Sequence, residues 1–156
     1  MKTLLISRCL LGDACRYDGA SKPLAAETLA ALRARFDLIP VCPEVLGGLP
    51  TPRTPSERQG GRVVMKTGAD VTAEYRRGAE DALRIAQENR VCAAVLKERS
   101  PSCGKGEIYD GTFTGTLKEG NGVTAEMLID AGFAVYGESE IEKLLSVWSL
   151  ECGVWS

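Results

Sequence analysis

The 156-residue chain is predicted to be an α/β protein, a three-layer sandwich around a mainly parallel, Rossmann-like sheet. Three observations predict it. Apolar runs of strand length alternate with helical segments four times, as in a parallel sheet wrapped by helices. One run, residues 91–96 (VCAAVL), carries no charged or strongly polar position, as a strand covered on both faces requires. The length is that of one domain with a real core, and we read 1–156 as a single domain.

The elements follow in order. Residues 3–8 (TLLISR) read as a short buried strand that ends at Cys9. Residues 24–36 form the first helix, with Ala25, Thr28, Leu29, Leu32 and Phe36 recurring on one face and Ser21 and Pro23 near its start. A second strand at 38–41 runs into Cys42. Residues 46–68 hold Pro50, Pro52, Pro55 and five glycines, an irregular excursion with a strand at 62–66. Loops of that length are usually functional or mobile. Residues 72–89 are a strongly amphipathic helix with Tyr75, Ala79, Ala82 and Ala86 on one face. The third strand, 91–96, leads into 98–104 (ERSPSCG) and a glycine-rich stretch ending at Gly122. Within it, Asp110-Gly111 between Ile108-Tyr109 and Thr112-Phe113 predicts a tight hairpin. A helix at 124–131 and a last strand at 133–136 come next. Ser139 with Glu142 makes a capping-box pattern for a final helix running towards Leu145. Crossovers between parallel strands are right-handed, which orders these elements as a doubly wound sandwich.

Lys and Arg number 19 against 21 Asp and Glu, a net charge of −2 that argues against DNA and for a small-molecule partner. The one apolar run near the N-terminus (Leu4, Leu5, Ile6) is too short to span a bilayer, so a cytoplasmic protein with no membrane partner is expected. In a reducing compartment six cysteines read as metal ligands, catalytic groups or buried thiols rather than disulfides. There is no histidine, which excludes a Ser-His-Asp triad, a Cys-His pair, His-ligated zinc and an imidazole base. Nothing in the sequence sets the oligomeric state.

Cys9, Cys42 and Cys103 each follow a predicted strand, so all three fall at the carboxyl edge of the sheet, where α/β folds bind ligands. Each adjoins a turn former: Gly12, Pro43, and Pro101 with Gly104. One such cysteine would be ordinary burial, and Cys92 and Cys152 are assigned no role. Cys15 lies on a loop that could bring it to the same edge and is read as a supporting or spare thiol, with a further ligand as the lesser alternative. Three thiolates without histidine or a CxxC pair suit a soft metal site better than structural zinc. A 4Fe-4S cluster normally takes four cysteines; held by three, it keeps one open iron able to act as a Lewis acid, which points to catalysis. Glu44, in Cys42-Pro43-Glu44, is the candidate general acid or base, or else a solvated cap. Ser100 and Ser102 flank Pro101 before Cys103, where serine also serves ordinary turns. Arg53, Arg58 and Lys105 sit on loops near the edge and could meet a phosphate. The competing reading is an iron–sulfur carrier or redox sensor, which has no need of a carboxylate such as Glu44. A thiol oxidoreductase using Cys9 with Cys15 lacks the groups that depress a thiol pKa.

Five ordered motifs resemble the thiouracil desulfidase family: Ser7-Arg8-Cys9-Leu10-Leu11-Gly12, Arg16-Tyr17-Asp18-Gly19, Cys42-Pro43-Glu44-Val45-Leu46-Gly47-Gly48, Pro52-Arg53, and Ser100-Pro101-Ser102-Cys103-Gly104. The resemblance extends through Gly122-Val123-Thr124-Ala125 and covers nearly the whole chain, in the short form without an appended domain. It implies an oxygen-sensitive 4Fe-4S cluster on Cys9, Cys42 and Cys103, and binding of a thiocarbonyl sulfur at the open iron. It further implies that Glu44 activates water or shuttles a proton, assisted by a serine, for which Ser100 is favoured over Ser102. The expected reaction is non-redox, hydrolytic desulfuration of a 4-thiouracil-type base, nucleoside or nucleotide such as 4-thio-UMP, with release of sulfide. Candidate substrate contacts are Tyr17, Ser102 and Lys105.

Overall fold

The computed structural model describes residues 1–147, so Cys152 lies outside the described residues. Along the chain run β1 (Lys2–Ser7), α1 (Ala26–Arg35), β2 (Phe36–Val41), the short α2 (Pro43–Leu46), β3 (Ser56–Gln59), β4 (Arg62–Met65) and α3 (Thr72–Glu88). Then come β5 (Ala93–Leu96), β6 (Glu107–Tyr109), β7 (Leu117–Glu119), α4 (Val123–Asp130), β8 (Ala134–Gly137) and α5 (Ile141–Val147).

Four strands form a parallel sheet in the order β2-β1-β5-β8. Its two faces follow from the period of two along each strand. Leu4, Ile6, Ala93 and Val95 pack on one side with Leu32 of α1, Phe36 at the start of β2, and Ile141 and Leu144 of α5. Leu5, Ala94 and Leu96 pack on the other with Ala86 of α3 and with Ala125 and Leu128 of α4. This is the predicted three-layer sandwich. The chain leaves β1 towards β2 and returns to β5 on the opposite side of β1. The switch point of the sheet therefore lies between β1 and β5, where a crevice opens at the carboxyl edge.

Two two-stranded ribbons, β3-β4 and β6-β7, stand outside the sheet. The excursion at 46–68 thus contains a hairpin, and its 62–66 strand is β4 with β3 as partner. Three local expectations are corrected. Helix α1 starts at Ala26, and Phe36 already belongs to β2, so Ser21 and Pro23 lie in the preceding loop. Asp110-Gly111 is not a two-residue turn: β6 pairs with Leu117–Glu119, and residues 110–116 form a wide loop. Asp110 Oδ1 accepts the Thr112 N–H, and Glu57 Oε1 accepts the N–H of Gly111 and of Phe113, which holds the loop open. The capping box is not made by Ser139 and Glu142. Glu140 reaches back to the Gly137 N–H, while the Ser139 hydroxyl donates to Glu98.

A cysteine-lined candidate active site

The crevice at the switch point is a cleft of about 550 Å³. Cys9 enters it from a single 3₁₀ turn (Arg8–Leu11) that closes β1. That turn ends on Gly12 at φ 102°, a left-handed conformation that glycine adopts without a Cβ clash. The Cys9 carbonyl accepts the N–H of Gly12 and of Lys22, folding the intervening loop back over the strand end. Cys42 occupies the N-cap of α2, directly after β2, with Pro43 in the first helical turn. Cys103 follows β5, and its N–H is accepted by the Ser100 hydroxyl. All three line the cleft, as does Cys15.

Three of the thiols, Cys15, Cys42 and Cys103, are held in their neutral form. Burial pushes Cys103 up to about 12. Cys42 is raised by its hydrogen bond with Cys15 and by burial. For Cys15, the hydrogen bond with Cys42 lowers the pKa, but that with Cys9 and burial raise it further, and the net shift is upward. A bound cationic centre reverses this logic, because coordination favours the thiolate. No group of three His, Cys, Asp or Glu side chains among the described residues converges as one metal ion requires. A mononuclear site needs every donor about 2.3 Å from one point. A cubane carries each thiolate on a different iron, so its donors need not converge on one point.

Glu44, in the first turn of α2, is the hub of the polar wall. Its Oε2 accepts from Arg53 Nε at 2.9 Å, pairs with Arg53 Nη2 at 2.9 Å and accepts from the Tyr75 hydroxyl at 3.0 Å. Its Oε1 has one described partner, the Ser100 hydroxyl at 3.4 Å. The Arg53 side chain is 3% exposed and also donates to the carbonyls of Pro50 and Cys15 and to Thr51 Oγ1. Burial, then the neighbouring Glu44 charge, keep the Tyr75 phenol well above its ordinary pKa, so it stays a donor. Ser100 Oγ also accepts the N–H of Ser102 and of Cys103, which ties the carboxylate to the Cys103 loop.

The structure thus brings together Cys9, Cys42, Cys103, Glu44, Ser100 and Tyr17, the last 42% exposed on the cleft wall. It places Ser102 and Lys105 elsewhere. Ser102 is fully buried, its hydroxyl 2.8 Å from Thr124 Oγ1, so it supports the loop from behind. Lys105 Nζ pairs with Glu140 at 3.1 Å and does not line the cleft. The three loop cations expected near a phosphate already have partners: Arg53 has Glu44, Arg58 has Glu126 at 2.7 Å, and Lys105 has Glu140. Among the described residues, the cleft-lining cations without an ion pair are instead Lys22 and Lys66. Sequence reasoning missed these two, and it missed Arg53 and Tyr75 as partners of Glu44. Tyr75 sits on the apolar face of α3, where it reads as core.

Fold and site together define a Rossmann-like α/β protein with a cysteine-lined cleft at the switch point of its sheet. The chain belongs to the 2-thiouracil desulfurase family, whose model matches residues 4–140. Among solved structures it is similar to the 4Fe-4S-dependent thiouracil desulfidase TudS, with a TM-score of 0.92 and 47% identity over 96% of this chain and 99% of that one. It is also 42% identical to the uncharacterized protein YbbK of Bacillus subtilis (strain 168), over 91% of this chain and 99% of the relative.

Proposed function

We propose that the chain is a 4Fe-4S-dependent desulfidase that converts a thiocarbonyl pyrimidine of the 4-thiouracil type to its carbonyl form and releases sulfide. One observation carries this reading: Cys9, Cys42 and Cys103 open on the same cleft as a carboxylate oxygen, Glu44 Oε1, that has room for one more donor. A carrier or sensor has no use for that arrangement. The three cysteines would hold the cluster, and Cys15 would stand behind them as a supporting thiol. At such a site a three-cysteine cluster supplies Lewis acidity and a soft acceptor for sulfur.

The protein's own groups handle the proton. With Oε2 fixed by Arg53 and Tyr75, Oε1 is the oxygen free to accept a proton from water that adds at the thiocarbonyl carbon. The Ser100 hydroxyl orients this oxygen and keeps the Cys103 loop in register with it. Carbon keeps its oxidation level: C=S and H₂O give C=O and H₂S, with no electron donor. The base, its nucleoside and its nucleotide all present this group. Lys22 and Lys66 on the rim are where a phosphate would find uncompensated positive charge.

The test is anaerobic reconstitution with iron and sulfide, followed by reaction in ¹⁸O-labelled water without reductant. Label in the product carbonyl over many turnovers is the expected result. Turnover that stops at one equivalent and resumes only with an electron donor overturns the non-redox mechanism.

A further inference from the structure

The wide loop 110–116 carries a residue that the chemistry above does not use. Phe113 lines the cleft and stands at φ 58°, a left-handed conformation that is uncommon for an aromatic residue. Such strain persists only where the surroundings impose it, and here they do. Glu57, itself on the cleft wall, accepts the N–H of Gly111 at 2.9 Å and of Phe113 at 3.1 Å. Gln59 donates to the Gly111 carbonyl at 2.9 Å. Gly111 lies so close to β3 that an added Cβ would be 2.8 Å from Gln59 Cγ and 3.0 Å from the Arg58 carbonyl. The loop is therefore clamped onto the β3-β4 ribbon at its first half, and the clamp sets Phe113 at the cleft.

We infer that Phe113 is the platform on which the pyrimidine ring stacks, and so a specificity-determining residue of this site. The inference rests on the desulfidase reading. A six-membered heteroaromatic ring has a π-face that a phenyl ring recognises whatever its exocyclic substituents. The other aromatic residues on the cleft are less suited. The Tyr75 hydroxyl is bonded to Glu44, Tyr17 is 42% exposed, and Tyr109 is part of β6. A ring that keeps its position through strained backbone, rather than through burial, is available to a ligand.

The experiment compares the binding of uracil and 5,6-dihydrouracil to the cluster-loaded protein by calorimetry. Both carry the same hydrogen-bonding groups, but only uracil is planar and aromatic. Wild type is expected to favour uracil. Phe113→Ala is expected to lose uracil affinity roughly 10- to 100-fold, the usual worth of base–aromatic stacking, with dihydrouracil little changed, and Phe113→Tyr to restore it. Phe113→Gly removes the ring at a φ that glycine adopts freely, so its thermal transition separates loss of stacking from loss of fold. The platform is overturned if wild type does not distinguish the two rings, or if the alanine and glycine variants lose both equally or neither. Wild type that binds neither uracil nor uridine 5′-monophosphate overturns the desulfidase reading itself.

Discussion

The two oxygens of Glu44 have unlike surroundings, and that difference assigns their work. Oε2 faces a guanidinium and a phenol, while Oε1 faces one serine at 3.4 Å. Glu44→Gln keeps the shape but cannot take a proton. Turnover is expected to fall roughly 10²- to 10⁴-fold while iron content per chain stays that of wild type. An unchanged rate would make Glu44 a loop anchor and revive the carrier reading. Arg53→Ala acts on stability instead, because it strands a half-buried carboxylate and frees the Cys15 and Pro50 carbonyls. Urea unfolding should show a loss of roughly 3–5 kcal/mol. Arg53→Lys should recover little of it, since an ammonium cannot reproduce the planar fork. The candidate cysteines and Glu44 were legible in the sequence because strand ends and turn formers surround them. Their partners were not. Arg53 comes from an irregular proline-rich loop, and Tyr75 lies 31 residues from Glu44 on a helix face that also reads as core.

Helix α2 has four residues, too few to be stable alone, and its position comes from α3. The contact is backbone to backbone. A Cβ on Gly78 would lie 1.8 Å from the Pro43 carbonyl oxygen, and one on Gly47 would lie 2.0 Å from that of Glu74. Gly78→Ala therefore pushes on the residue between Cys42 and Glu44. We expect a loss of about 1–3 kcal/mol in urea unfolding, with weaker iron retention alongside. Gly61→Ala, with nothing within 4 Å, is the control and should stay within about 0.5 kcal/mol. Just ahead of α3, bonds from the Thr72 hydroxyl and N–H, and then Arg62, lower Asp70 to about 2. A depressed carboxylate lends stability above its ordinary pKa and loses it as pH falls through the folded value. The gap in thermal transition between wild type and Asp70→Asn should therefore be present at pH 6 and close between about pH 4 and 2. It should be small, because Asp70 is exposed. Helix α3 and the four sheet strands were legible because their periodicity coincides with burial. The Asp110-Gly111 loop and the final cap were not, because Glu57 and Glu98, distant in sequence, accept the deciding hydrogen bonds.

For the molecule as a whole, the proposed ligand set predicts brown anaerobic protein with about four irons per chain. Serine at Cys9, Cys42 or Cys103 should remove the iron, and Cys92→Ser should not, since Cys92 does not line the cleft. Full iron in all three ligand variants would refute the assignment. The three cysteines also come from three separate strand ends, 33 and 61 residues apart along the chain. A cluster joining them is a covalent knot that closes two long loops, and it restricts the unfolded chain as a pair of disulfides would. On the disulfide scale each closure is worth roughly 4 kcal/mol. Loaded protein should then unfold only at a higher temperature, where the exposed cluster is lost together with the fold. In a thermal ramp the visible absorbance and the far-ultraviolet signal should be lost together, well above the transition of the metal-free chain. The colour of a sample would report how much of it is still folded.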